Sequence, residues 1–249
     1  NNENPESVDY IIGKYILDHM NQLSGASIQD ISDACEVSKS TLSRFCRKIG
    51  LEDFQEMKDE LQHANINPSN KFNVPLVDSD GKGYLKSVSE QVMKLDAALD
   101  YKLIEKLVRE IYDAKNIILL GSMQAMNPAV NLQQDMLFCG KVTRVPSMFS
   151  LQVSAIERAR PNDLLICFSN SGIFFERLFE NQGDLHKLDH LRIWMITGNE
   201  NVKKLSYVNE SIIIPDNHGY VSHPLQFNLT ARVIAMAYAE YYKKMNEKK

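Results

Sequence analysis

From Tyr84 onward the chain alternates short apolar runs with longer stretches of helical periodicity, and this alternation limits the fold more than any other feature. The runs are IILLG at 117–121, KVTRV at 141–145, LLICFS at 164–169, RIWMITG at 192–198 and SIIIP at 211–215. Short, continuously apolar runs suit strands buried on both faces. Five such strands separated by helices read as βαβ units. They predict an α/β domain with a five-stranded, mostly parallel sheet flanked by helices. Two helices, 84–99 and 101–114, precede the first strand, and a last helix, 221–246, ends in a Lys-rich tail.

Upstream the pattern differs. Residues 1–63 read as short helices with few breakers, an all-α domain. Residues 64–83 (ANINPSNKFNVPLVDSDGKG) hold two prolines, two glycines and four asparagines and read as a linker. The second domain then runs from 84 to 249. Hydrophobic residues make up 44% and charged residues 24% of the chain, which excludes a disordered polymer and supplies a sizeable core. No apolar run reaches the ~18 residues that a membrane helix needs. The segment Asn1 to Pro5 is polar and acidic, unlike a signal peptide. Cys35, Cys46, Cys139 and Cys167 form no CxxC pair and sit in apolar stretches, so buried reduced thiols and a cytoplasmic location are expected.

Within the first domain, Ser27 precedes IQDISDACEV and can cap a helix, with Asp30 in its first turn. Ile28, Ile31, Ala34 and Cys35 fall at core spacing. Glu36 and Val37 make a short turn, Ser38 can cap a second helix, KSTLSRFCRKI, and Gly50 can end it. Leu42, Phe45, Cys46 and Ile49 form the apolar stripe of that helix. Ser40, Ser43, Arg44 and Arg47 share another face, flanked by Lys39 and Lys48. From Ser38 to Lys48 there are four cations and no acid. Two helices joined by a short turn, the second rich in cations and hydroxyls, suit the DNA major groove. Residues 1–70 nevertheless carry a net charge of −6, against +2 for the remainder. A DNA contact must therefore be a local stripe.

The segment SIQDISDACEVSKSTLSRFCRKIGLEDFQEMK resembles the N-terminal domain of the RpiR family of bacterial transcription regulators. The likeness rests on the Ile-x-x-Ile-Ser start, the Val-Ser-x-x-Thr-Leu turn, the Arg-Phe-Cys-Arg-Lys-Ile-Gly run, and Phe54 with Lys58. It implies that Ser38, Lys39, Ser40, Thr41, Ser43, Arg44, Arg47 and Lys48 face DNA. Glu52, Asp53, Glu56, Asp59 and Glu60 would then point away from the phosphates. It also implies double-stranded operator DNA as partner, bound by a homodimer or tetramer. No cofactor, metal or membrane partner is expected.

The same resemblance implies a sugar isomerase (SIS) domain after the first domain, with a phosphosugar bound by loops at the strand C-termini. The first family loop, Gly-x-Gly-x-Ser, corresponds here to Gly121-Ser122-Met123-Gln124-Ala125, with Met123 and Ala125 replacing a glycine and the serine. The second, Ser-x-Ser-Gly-x-Thr, corresponds to Ser169-Asn170-Ser171-Gly172-Ile173-Phe174, with Phe174 in place of threonine. Thr197-Gly198-Asn199 ends the fourth apolar run at the same edge. Ser222-His223-Pro224-Leu225-Gln226 resembles the family's Ser-Arg-x-x-Gln stretch, with His223 for arginine. Candidate ligand residues are Gly121, Ser122, Ser169, Asn170, Ser171, Gly172, Thr197 and Gln226. His218 and His223 read as surface loop residues, and Phe174 and Phe175 as core or interface. The expected function is a DNA-binding regulator, a repressor, that senses a phosphorylated sugar or related metabolite. The alternative is a regulator whose SIS domain serves dimerisation or another ligand. A sugar-phosphate isomerase is disfavoured, because the loops contain no carboxylate and Glu176 lies four residues past Gly172.

Overall fold

The computed structural model describes residues 7–20, 22–49, 51, 54–55, 57–58, 81–179, 182–215 and 223–247. The chain divides into two compact units, residues 1–71 and 72–249. The expected linker lies largely outside the described residues, as do Gly50, Glu52, Asp53, Glu56, Asp59, Glu60, His218 and Ser222, together with the side chains of Met123 and His223.

In the first unit, helix α1 (Val8–His19) is capped by Ser7, whose hydroxyl accepts from the Tyr10 amide at 3.2 Å. Helix α2 (Ile28–Ala34) begins in a reciprocal cap. The Asp30 amide donates to the Ser27 hydroxyl at 3.2 Å, and the Ser27 amide donates to the Asp30 carboxylate at 2.7 Å. This satisfies two amides that a helix start otherwise leaves open. Glu36 takes the turn with φ 54°, after which Ser38 caps α3 (Lys39–Lys48) by accepting from the Thr41 amide at 3.1 Å. Ile12, Ile31, Leu42, Phe45 and Cys46 meet in the core between these helices. Two expected core positions fall outside it. Ala34 is exposed at the last turn of α2. Ile49 is 48% exposed because the helix ends at Lys48 and the i+7 position lies past its end.

The second unit opens with helices α4 (Tyr84–Ala98) and α5 (Tyr101–Asp113), separated at Asp100, whose carboxylate accepts from the Lys102 and Leu103 amides. Then follow β1 (Ile117–Gly121), α6 (Met126–Phe138), α7 (Phe149–Glu157), β2 (Leu164–Phe168), α8 (Phe174–Leu178), β3 (Arg192–Thr197), β4 (Glu210–Ile213) and α9 (His223–Asn246). All strands are parallel, in the order β1-β2-β3-β4. Among the described residues the sheet thus has four strands, not the five expected from the sequence. The run 141–145 makes a single parallel bridge, in which the Arg144 amide donates to the Ile117 carbonyl and the Leu119 amide donates to the Arg144 carbonyl. Its start closes α6, since the Lys141 amide bonds the Met136 carbonyl. The Lys141 ammonium bonds the Tyr112 and Ala114 carbonyls at the end of α5. Its end meets Pro146, which has no N–H with which to extend the ladder.

Alternate strand residues feed two cores. Leu119, Ile166, Phe168, Trp194 and Ile196 face α5, α6 and α9, while Ile118, Leu120, Leu165, Cys167 and Met195 face α7 and α8. At the strands' N-terminal end a polar knot ties α5 to the sheet. Glu110 accepts from Arg192 at 2.9 and 2.6 Å and from the Trp194 indole at 2.7 Å, and Lys106 pairs with Glu210. Cys35, Cys46 and Cys167 are buried and Cys139 is half-buried, and none of the four is in a disulfide.

Candidate functional site

Helix α3 turns its apolar side inward and leaves Ser38, Lys39, Ser40, Arg44, Arg47 and Lys48 exposed, with Thr41 and Ser43 half-buried. At its start the Ser38 hydroxyl shares hydrogen bonds with Ser40 at 2.8 Å and with Thr41 at 2.9 Å, and Arg44 donates to Thr41 at 3.2 Å. Arg44 is thereby held toward the helix N-terminus, where the free amides and the dipole already favour anions. Lys48 behaves differently, because its ammonium pairs with Asp9 of α1. The four-cation stripe read from the sequence therefore has one member partly neutralised by a residue 39 positions away.

Of the candidate ligand residues of the second unit, Gly121, Ser122, Ser169, Asn170, Ser171, Gly172 and Thr197 lie at the C-terminal ends of β1, β2 and β3, and Gln226 lies in the first turns of α9. Gly121 ends β1 with no room for a side chain, since a Cβ there would overlap the Ala125 carbonyl. Its amide, which could face a ligand, instead donates at 3.3 Å to Gln152, a buried glutamine of α7. Ser122 is exposed. After β2, Gly172 adopts φ +78° and its missing Cβ makes way for Val202, so a side chain is excluded on both counts. Ser169 is buried, Asn170 half-buried and Ser171 exposed.

This second loop is latched to the end of β3. The Thr197 hydroxyl and the Gly198 amide both donate to the Asn170 carbonyl, at 3.1 and 3.2 Å. The Asn199 side-chain amide donates to the Ser171 carbonyl at 2.8 Å. Thr197, fully buried, also accepts from the Asn199 amide at 3.1 Å. Helix α8 spans only five residues, and Phe174 and Phe175 are buried in the core, as expected for them. In its first turn the Glu176 carboxylate accepts from the Tyr207 hydroxyl at 2.6 Å. Burial, then this carboxylate, pushes the Tyr207 hydroxyl well above its ordinary range. The neighbouring Cys167 thiol is raised in the same way.

Gln226, in the first turns of α9, is fully buried, and among the described residues neither its amide nitrogen nor its carbonyl oxygen has a hydrogen-bond partner. Its neighbour Phe227 meets Phe168, the last residue of β2, edge to face at 5.9 Å. Helix α9 also packs on the 3-10 turn Met123–Ala125, which contains Gln124. Gln124 and Asn170 each hold a buried side-chain carbonyl oxygen without a partner. Buried amides are nearly always satisfied, so such a group needs a specific reason. Gln152 was not foreseen from the sequence, and Gln124 and Asn199, though they stand in loops read from it, were given no role there, because a single amide residue in a loop or helix carries no motif.

A two-helix turn with an exposed basic helix, followed in the chain by a parallel α/β unit with glycine- and serine-bearing loops at one sheet edge, defines a helix-turn-helix domain with an α/β second unit. Residues 5–67 match the model of the helix-turn-helix domain of the rpiR family. The chain is 24% identical over 166 residues to the HTH-type transcriptional regulator HexR of Pseudomonas aeruginosa, covering 65% of this chain and 58% of that protein. An uncharacterized HTH-type transcriptional regulator of Caldanaerobacter subterraneus subsp. tengcongensis is 32% identical over 69 residues, 28% of this chain and 24% of that protein. The chain thus spans less than two thirds of the length of either relative. Among solved structures, the Vibrio vulnificus NanR protein complexed with ManNAc-6P superposes with a TM-score of 0.56 at 15% identity, over 97% of this chain and 89% of that one. An Escherichia coli CFT073 protein in complex with A5P gives 0.50 at 18% identity, over 64% and 85%. These two likenesses support the fold.

Proposed function

We propose that the chain is a transcription regulator that reads double-stranded DNA with α3 and senses a small sugar-derived metabolite at the C-terminal edge of its sheet. The observation that carries this is the exposed Ser38–Arg47 face on the second helix of an rpiR-family helix-turn-helix domain. Arg44 and Arg47 contact guanine edges or phosphates, and the hydroxyls at the helix start contact phosphates. The first unit is acidic overall, so one stripe gives weak binding. A homodimer presents two stripes to paired half-sites. The ligand acts by binding one arrangement of the dimer better than another, and a coupling of ~1–3 kcal/mol shifts DNA affinity roughly 5–150-fold. In this reading the protein works in the cytoplasm as a repressor without enzymatic turnover, and the SIS-type unit follows the DNA-binding unit across the segment 64–83.

The test is selection of binding sequences from a pool of randomised duplexes. Enrichment of a motif with two related half-sites, lost in the Arg44→Ala/Arg47→Ala double variant, supports the reading. A pool that stays random at low salt overturns it.

A further inference from the structure

Exposed apolar side chains usually stand singly on a folded chain, and a cluster of large ones marks a surface that meets a partner. The end of α6 carries such a cluster. Phe138, its last residue, is 92% exposed, Leu137 beside it 63%, and Val142 in the run that follows 71%. On α9, Met236 is 66% exposed, and Tyr242 is exposed as well.

Hydrogen bonds and packing bring these five side chains to one place. The Asn131 side-chain amide donates to Asn228 at 2.8 Å, and Arg232 donates to Asp135 at 2.8 Å. Both bonds join α6 to α9 at the same separation of 97 residues, so the two helices lie side by side and run in the same direction. One turn on, Met236 stands opposite Cys139, next to Phe138. A Cβ on Gly140, two residues past Phe138, would lie 3.9 Å from the Tyr242 hydroxyl. The Gln133 side-chain amide donates to the Thr143 carbonyl at 2.8 Å. That bond lays residues 141–143 along the side of α6 that carries Gln133 and, one turn on, Leu137, and so sets Val142 beside Leu137.

The surroundings of the patch identify what covers it. Among the described residues, every Asp, Glu, Lys and Arg of α6 and α9 is paired within the chain. Asp135 pairs with Arg232, Glu240 with Lys244 at 3.2 Å, and Lys243 with Glu247 at 3.9 Å. The Lys141 ammonium is turned onto the carbonyls of Tyr112 and Ala114, and Arg144 adds one exposed cation past Val142. A face with little net charge can meet an identical face, whereas a strongly charged one repels its copy. The first unit shows the opposite case. Its helix α1 also exposes apolar side chains, Leu17 among them, but residues 1–70 carry a net charge of −6, against +2 for the remainder. Phe, Met and Tyr are residue types enriched where two proteins meet. The five side chains present on the order of 600 Å², which matches the largest apolar patch of an ordinary monomer and is most of the roughly 800 Å² that each partner gives to a standard interface.

We infer that the adjoining ends of α6 and α9 form the face on which two copies of this chain pair, with Phe138 at its centre. This rests on the dimeric DNA-binding reading above and gives the second unit the task of joining the two chains. A two-fold axis brings the same patch against itself, so each of these side chains is buried twice in a dimer.

Analytical ultracentrifugation of the full chain at neutral pH tests the inference, beside binding to the selected duplex with two half-sites and to a duplex with one. The expected result is that Phe138→Ser halves the mass of the assembly and raises its dissociation constant about thirty-fold or more, the scale of a central anchor residue. Trp194 fluorescence and helical dichroism should match the parent chain, since Phe138 packs on little of its own chain. Affinity for two half-sites should fall while affinity for one is kept. Leu17→Ser, which removes an exposed apolar side chain from the first unit, should leave the assembly intact. If Phe138→Ser unfolds, Val142→Ser is read in its place. A parent chain that stays monomeric at high micromolar concentration overturns the inference, while α3 can still select a single half-site. An assembly unchanged in Phe138→Ser and Val142→Ser, or dissociated by Leu17→Ser, overturns the assignment to this face. A duplex pool that stays random, together with dissociation by Phe138→Ser, overturns the DNA reading and leaves this face standing.

Discussion

The two units hold their polar side chains in opposite ways. In the first, the functional groups of α3 project into solvent and interact with one another along one turn, from Ser38 through Thr41 to Arg44. In the second, the groups at the sheet edge turn inward, bond across loops, and leave buried carbonyl oxygens unmatched. In the proposed reading, the difference follows from the partner each surface would meet. A DNA duplex is a large polyanion, and exposed cationic side chains that replace its condensed counterions release them and gain affinity. A small metabolite must be surrounded, and its specificity comes from buried groups that lose heavily when left unpaired.

The comparison is broken most forcefully in the core beneath the reading helix. Leu42 is fully buried between α3 and its neighbours. Leu42→Ala should destabilise the first unit by ~2–5 kcal/mol, the usual cost of an aliphatic cavity. Because the two units have separate cores, urea unfolding followed by tryptophan fluorescence should be nearly unaffected, since Trp194 lies in the second unit. Far-ultraviolet dichroism should show an early helical transition. A tryptophan transition that moves equally would mean that the units unfold as one.

The next effect lies on the surface. Arg44→Ala or Arg47→Ala should weaken binding to the selected duplex by ~1–3 kcal/mol if the side chain is bidentate to a base. A purely phosphate contact would instead lower the salt slope by about one unit. Lys48→Ala should cost less than either, because Asp9 already holds that ammonium. Fluorescence anisotropy across a salt series separates the three. A Lys48 loss equal to that of the arginines would show that the Asp9 pair gives way on DNA. Ser38→Ala comes below these. Removing the cap hydroxyl should cost ~1 kcal/mol of stability in thermal unfolding, and it frees Thr41 and Ser40 from their shared hydroxyl.

How far the sequence reveals this molecule depends on the range of the interactions involved. The Ser27 and Ser38 caps, the Leu42–Phe45–Cys46 stripe and the four paired strands are written in local spacing, and local spacing is what a sequence displays. Ile49 escaped because a helix end, not a period, decides its exposure. The run 141–145 has the composition of a strand, yet its first residues serve as the closing turn of α6 and its last residue precedes a proline. At the candidate site, glycines and serines stand in recognisable order, whereas the roles of Gln124, Gln152 and Gln226 depend on which loops fold beside them. The Lys48–Asp9 pair is equally invisible, since nothing near either residue signals the other.

The smallest expected effect separates the units by their response to acid. In the first unit the Asp30 carboxyl is lowered by its hydrogen bonds from the Ser27 amide and hydroxyl, but it is fully exposed. In the second, burial alone would raise the Glu110 carboxyl. The Arg192 and Trp194 hydrogen bonds and the Arg192 and Lys106 charges outweigh it and hold the group below the ordinary carboxylate range. A carboxyl depressed in the folded state contributes stability that is fully present above its unfolded pKa of about 4.3. That contribution is lost as pH falls through the lower folded value. Stability of the second unit, read from Trp194 fluorescence in urea, should therefore fall with decreasing pH beginning near 4.3. In Glu110→Gln this component of the slope should disappear, with a lower plateau at neutral pH because Arg192 keeps only its more distant partner, Glu210, at 3.8 Å. An unchanged acid slope in that variant would place the sensitivity of the second unit elsewhere. It would remove the one respect in which a half-buried polar knot, rather than an exposed cap, is expected to govern how the protein yields to acid.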